Sequence, residues 1–174
     1  MSVDQLLQEL SIRIYEEPLA ATRHESDYPN LSNPLHISVL LIDCDTEINM
    51  NGMLGFLENS SGQHLGKTVE ALELIGSHKS AEVLRSVQEC MGSHHVTWER
   101  LREDFEGHEA FEVTSFSELH GNALRDFADE IGNRFSEFDL FNTLYSLEDA
   151  YSLLVKHLEL ISWKLNDEVS KRSA

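Results

Sequence analysis

The chain has 174 residues, 41% of them hydrophobic, enough for a domain with its own core and too apolar for a disordered chain. Its 31 Asp and Glu stand against 13 Lys and Arg, a formal net charge of -18. Such a field repels nucleic acid and anionic membranes and attracts basic surfaces, and it is larger than solubility alone requires.

Ser2-Val3-Asp4-Gln5 has the form of a capping box, and Val3, Leu6, Leu7, Leu10 and Ile14 recur behind it at helical spacing. Pro18 closes this helix, and residues 22–34 read as a polar connection punctuated by Pro29 and Pro34. From Leu35 to Met50, the residues Ile37, Val39, Leu40, Leu41, Ile42 and Ile48 predict a helix buried on most sides. A short buried strand over Ile37 to Ile42 is the competing reading. Helix is preferred because Asp43, Asp45, Glu47 and Asn49 extend the segment without a turn signal. Asn51-Gly52 breaks it, Met53 to Leu57 is a second apolar stretch, and Asn59-Ser60-Ser61-Gly62 is a turn.

Leu65, Val69, Leu72 and Ile75 mark the next helix, with Gly76 placed as its left-handed end. Ser77 or Ser80 caps the helix after it, whose core side is Val83, Leu84, Val87 and Met91. Val96 to Phe105 reads as helix, and Gly107 to Thr114 carries no clear signal. Ser115-Phe116-Ser117-Glu118 is a second capping box, predicted to open one helix through Leu119, Ala123, Leu124, Phe127 and Ile131. Ser146, Glu148 and Asp149 suit the start of the last helix. Its stripe of Leu147, Tyr151, Leu154, Leu158, Ile161 and Leu165 closes either the core or a dimer. No alternating strand pattern occurs. The expected fold is all-α, a single compact domain of about seven to ten helices over residues 1–174, with an acidic C-terminal half from about residue 99.

The chemistry-bearing residues give few site patterns. Cys44 and Cys90 sit among apolar neighbours without C-x-x-C spacing, as buried free thiols do. Of nine histidines, His94 and His95 are adjacent and point about 100° apart on a helix, and His95 with Glu99 supplies two ligands rather than a site. No metal and no cofactor is therefore expected. There is no nucleophile elbow, phosphate loop or dinucleotide fingerprint, so no enzyme activity is expected. Asp43 and Glu47 share one helix face, where repulsion would raise a carboxyl pKa, and with Asn51 they are the centre of any enzyme or small-ligand site. The first residues carry Asp4 and Glu9 and no basic stretch, which predicts a cytoplasmic protein.

The acidic stretch is the stronger signal. After Arg102 come Glu103, Asp104, Glu106, Glu109, Glu112 and Glu118, with no Lys or Arg before Arg125, and Asp126, Asp129, Glu130, Glu137 and Asp139 follow with only Arg134 in opposition; the first nine carry the signal. Carboxylates at this density can present a surface to a basic partner, much as DNA presents phosphates to Lys and Arg. These nine residues are the candidate partner-binding surface.

Three stretches carry a resemblance: Tyr28-Pro29 with Leu31-Ser32 and Pro34, the run from Glu47 to Gly62, and Ala71-Leu72-Glu73-Leu74-Ile75-Gly76. Together they resemble a bacterial family of domains of unknown function that includes a neisserial DNA-mimic protein. The resemblance covers about residues 28–92 and, more loosely, Leu140 to Leu158. The chain departs from the family's usual Asn-Gly-Gly-Phe, with Asn51-Gly52-Met53-Leu54 and the aromatic at Phe56. The resemblance implies an all-helical fold, a homodimer, and binding to the DNA-contacting surface of a transcription factor. Within the motif, Glu47, Asn49, Asn51, Gly52, Phe56, Asn59, Ser60, Ser61 and Gly62 read as structural. The glycines permit unusual backbone angles, and the amides and hydroxyls satisfy loose groups at helix ends. Three functions are thus in view: a DNA mimic acting on a basic partner, an inhibitor of a basic toxin or nuclease, and an enzyme or ligand binder around Asp43, Glu47 and Asn51.

Overall fold

The first helix, α1 (Val3–Arg13), starts where its capping box places it. Ser2 Oγ accepts the Gln5 amide, and Gln5 returns a bond to the Ser2 N–H. Val3, Leu6, Leu7 and Leu10 make its buried face. The computed structural model describes residues 2–106, 115–142 and 149–173. Across them every α-helix and 3-10 turn packs around one hydrophobic core, and no strand occurs among the described residues.

The centre of that core is α2 (Pro34–Glu58), 25 residues long. Every residue from Pro34 to Cys44 is buried, as expected for a helix with neighbours all round. It packs against α1 and also against α3 (Leu65–Ile75), α5 (Trp98–Glu106), α7 (Arg125–Phe135) and α9 (Ser162–Ser173). Its buried polar side chains are each satisfied. Ser38 Oγ donates to the Pro34 carbonyl at 2.8 Å. His36 accepts the Asn30 N–H at Nδ1, 3.1 Å, and meets Glu25 at Nε2, 3.0 Å. The helix reading of Ile37 to Ile42 therefore holds over the strand.

The helix α3 ends at Gly76, which takes the left-handed φ of 85° as expected. Ser77 then stands at the N-cap position of α4 (His78–Ser93), while Ser80 is buried one turn in.

Two expectations need correction. The helix predicted from Ser115 to Ile131 is broken. Its capping box forms, but α6 (Phe116–His120) stops at Gly121, whose φ of 70° suits glycine alone, and a 3-10 turn over Asn122–Leu124 leads into α7. The last helix is also two: α8 (Ala150–Leu160) and α9, divided at Ile161, whose φ of -127° leaves the helical region. Asp149 caps α8 by accepting the Ser152 N–H at 2.9 Å, and Ser146, Leu147 and Glu148 lie outside the described residues. Leu154, Leu158 and Leu165 are fully buried within the chain, so their stripe closes its core. No helix among the described residues is long and apolar enough to cross a membrane.

Candidate partner-binding surface and the family motif

The motif residues build the bend at the C-terminal end of α2. Gly52 has φ 70° and ψ -179°, a conformation essentially confined to glycine, so the break expected at Asn51-Gly52 is a kink inside one long helix. Beyond it, Met53, Phe56 and Leu57 turn into the core. Glu47 joins the two sides of the kink: its carboxylate accepts the side-chain amides of both Asn51, at 2.8 Å, and Asn59. Asn49 instead donates to the Asp45 carbonyl at 2.9 Å.

The chain then doubles back through a 3-10 turn at Ser60–His64. A Cβ at Gly62 would lie 2.5 Å from the Phe56 carbonyl oxygen and 2.6 Å from that of Leu57, so only glycine permits this approach. Two α5 side chains close the end of α2. Trp98 Nε1 donates to the Asn59 carbonyl at 2.9 Å, and Arg102 to that of Glu58 at 3.3 Å. These are helix-end carbonyls that would otherwise lack partners. Glu47, Asn51 and Asn59 thus lock the kink through one another rather than through backbone groups. Gly52 and Gly62 supply the backbone angle and the close approach, and the Ser61 hydroxyl is buried without a hydrogen-bond partner among the described residues.

Asp43 points elsewhere. Its two oxygens accept a bidentate fork from Arg23 at 2.6 and 2.7 Å, and Arg23 also donates to the Ile14 carbonyl at 2.5 Å. Burial pushes the Asp43 carboxyl up and the guanidinium pulls against it; repulsion from Glu47 is the smallest contribution named. Arg23, Asp43, Tyr28, Ser60, Ser61 and His64 border a cavity of about 120 Å³, which Glu47 and Asn51 do not line. The expected Asp43, Glu47 and Asn51 centre is therefore not assembled, because Glu47 is turned toward the kink.

The acidic surface is only partly as expected. Glu103, Asp126 and Asp129 are exposed and form no ion pair with another described residue. Asp104 and Glu130 are engaged within the chain. Asp104 pairs with Arg100 at 3.1 Å and with His120 at 2.9 Å. Glu130 pairs with His94 at 2.9 Å and with Arg134 at 2.5 Å. Glu118 is exposed but serves its capping box, and hydrogen bonds from Ser115 hold its carboxyl below the usual range. The side chain of Glu106, and Glu109 and Glu112 altogether, lie outside the described residues. The acidic run reaches Glu137, which is exposed; sequence reasoning missed Glu89 and Glu99, which are exposed and likewise form no ion pair with another described residue. Their separation along the chain hid them; their positions on the outer sides of α4 and α5, opposite Leu84, Val87 and Leu101, were the available signal.

It also missed the burial of His120, whose side chain is fully enclosed. Its Nε2 lies 2.6 Å from Glu58 and its Nδ1 2.9 Å from Asp104. Each ring nitrogen thus faces a carboxylate oxygen at hydrogen-bond distance. This cluster ties the end of α2 to α5 and α6.

With the bend at Gly52 and the closed turn at Gly62 in place, the family can be stated. The family model of the DMP19-like proteins matches residues 29–168. The chain belongs to that family. The match includes both the Glu47-to-Gly62 bend and the helices α4 to α7. Comparison with curated proteins finds no match, and comparison with solved structures finds none either.

Proposed function

We propose that this DMP19-like protein acts by binding a basic, DNA-binding protein, holding carboxylates where that partner receives phosphates. The observation that carries this reading is the distribution of the charges. At least eight of the 13 Lys and Arg are engaged by carboxylates within the chain, among them Arg23, Arg100, Arg134 and Arg172. Glu89, Glu99, Glu103, Asp126, Asp129 and Glu137 are left exposed on or beside α4, α5 and α7. Because these helices are fixed by a packed core, the backbone that carries the carboxylates is in place before binding, which lowers the entropy lost on association. Lys and Arg of a partner would meet them first through long-range steering and then through direct, partly bidentate hydrogen bonds. Membership of the family, with its DNA-mimic member, supports the same reading.

An enzyme or small-ligand site centred on Asp43 is the weaker reading. The cavity beside Asp43, about 120 Å³, is well below the roughly 300 Å³ at which metabolite-sized pockets begin. The test is capture from host lysate on the immobilised chain, alongside a variant with Glu99, Glu103, Asp126 and Asp129 changed to their amides. The proposal expects a DNA-binding protein on the wild type and its loss from the variant. Equal capture by both would overturn it, and capture of a basic toxin or nuclease in place of a DNA regulator would redirect it to inhibition.

A further inference from the structure

We propose that Cys90, His94 and Glu130 form a binding site for a thiophilic divalent cation, zinc foremost, with one coordination position left to water. Cys90, in the last turn of α4, and His94, its C-cap, are four residues apart and so lie on one side of the helix end. Glu130 reaches them from α7, which packs against α4. One ligand atom from each residue lies within 4.8 Å of the others, and His94 Nε2 is 2.9 Å from Glu130 Oε2. A tetrahedral zinc ion with bonds of about 2.0–2.3 Å sets its ligand atoms about 3.3–3.8 Å apart, so small rotations of these side chains suffice.

The frame around the three is fixed. The end of α4 is closed by His95 at a left-handed φ of 55°, with the His95 N–H on the Gly92 carbonyl at 3.2 Å and the Val96 N–H on that of Met91 at 2.9 Å. This holds the His94 backbone in place. Arg134 holds Glu130 by its other oxygen, Oε1, at 2.5 Å, which leaves Oε2 aimed at His94. Cys90 is 2% exposed, while the side chains of His94 and Glu130 are 26% and 35% exposed. The thiol is thus on the dry side and solvent enters over the other two, the arrangement a three-ligand site with an open position needs. On binding, the Cys90 thiol proton leaves to solvent, and thiolate plus carboxylate neutralise the dication. The other cluster of ligand type among the described residues, Glu25, Asp27 and His36, lacks a thiolate, and its Glu25 is already held by Arg172 at 2.5 Å.

The probe is cobalt(II), titrated into the metal-free full chain and followed by its thiolate-to-cobalt charge-transfer absorption. The expected result is one equivalent bound, a charge-transfer band displaced by zinc, loss of that band in Cys90→Ser, and a fall in affinity of at least about tenfold in Glu130→Gln. Glu130 is half-exposed, so that second variant keeps the test valid if Cys90→Ser fails to fold. Absence of the band in the wild type, or unchanged affinity in folded Glu130→Gln, would overturn the assignment.

Discussion

The carboxylate of Glu47 holds the side-chain amide of Asn59 across the Gly52 kink, joining residues on opposite sides of the bend in α2. The same carboxylate holds Asn51, so one side chain fixes both the last straight turn of the helix and the start of the return. Glu47→Ala should therefore destabilise the fold by about 1–3 kcal/mol, chiefly through the part-buried Asn59 amide left without its acceptor, since the exposed Asn51 amide can turn to water. Glu47→Gln, which keeps one acceptor oxygen, should cost less. Chemical denaturation of both variants checks the order.

At Gly62 the constraint is steric. The added methyl of Gly62→Ala would meet two backbone carbonyl oxygens at 2.5 and 2.6 Å, and backbone cannot move aside as a side-chain end can. A loss of about 1–3 kcal/mol is expected in thermal or denaturant unfolding. A neutral result would mean that the turn at Ser60–His64 does not press on the end of α2.

These two positions also show what the sequence makes legible. Both glycines and the amide-rich run stood out because only glycine serves such backbone angles and short polar side chains serve helix ends. The capping boxes at Ser2 and Ser115 were legible for the same local reason, and both form. What failed was long-range. The breaks at Gly121 and Ile161 lie within patterns that continue at helical spacing on both sides, so periodicity alone runs through them. In the acidic surface, Asp104 and Glu130 read like their exposed neighbours. Only packing brings His120 and His94 to them from 16 and 36 residues away.

The His120 cluster predicts a measurable effect from one side chain. His120→Leu leaves Glu58 and Asp104, with side chains only 16% and 17% exposed, close together without the ring between them. Removing the hydrogen-bonding partner of such partly buried carboxylates typically costs about 1–3 kcal/mol. Denaturant unfolding should show a loss of that order, while a loss under about 1 kcal/mol would mean that the cluster is not stabilising.

Asp45 predicts a pH effect of definite sign. Burial raises its carboxyl to about 6 from 3.8, with the Phe141 N–H, at 3.0 Å, pulling the other way and Asp139 adding to the rise. Between those two values the folded chain keeps a proton that the unfolded chain releases. This group therefore disfavours the fold above about pH 6, and the penalty fades as pH falls toward about 4. Asp45→Asn retains an oxygen for the Phe141 N–H and should be more stable than wild type at about pH 7.5, by up to about 3 kcal/mol. The difference should shrink at about pH 4.5. A difference that grew on acidification would contradict the assignment.

The central claim is that the exposed carboxylates of α4, α5 and α7 occupy a partner's DNA-binding surface. Its most direct test takes the captured partner in purified form and asks whether the chain and duplex DNA bind it together, across a range of salt. The account predicts mutual exclusion, with the complex weakening steeply as salt rises, because ion contacts of this kind are screened. A ternary complex of partner, chain and DNA, or an affinity indifferent to salt, would contradict it.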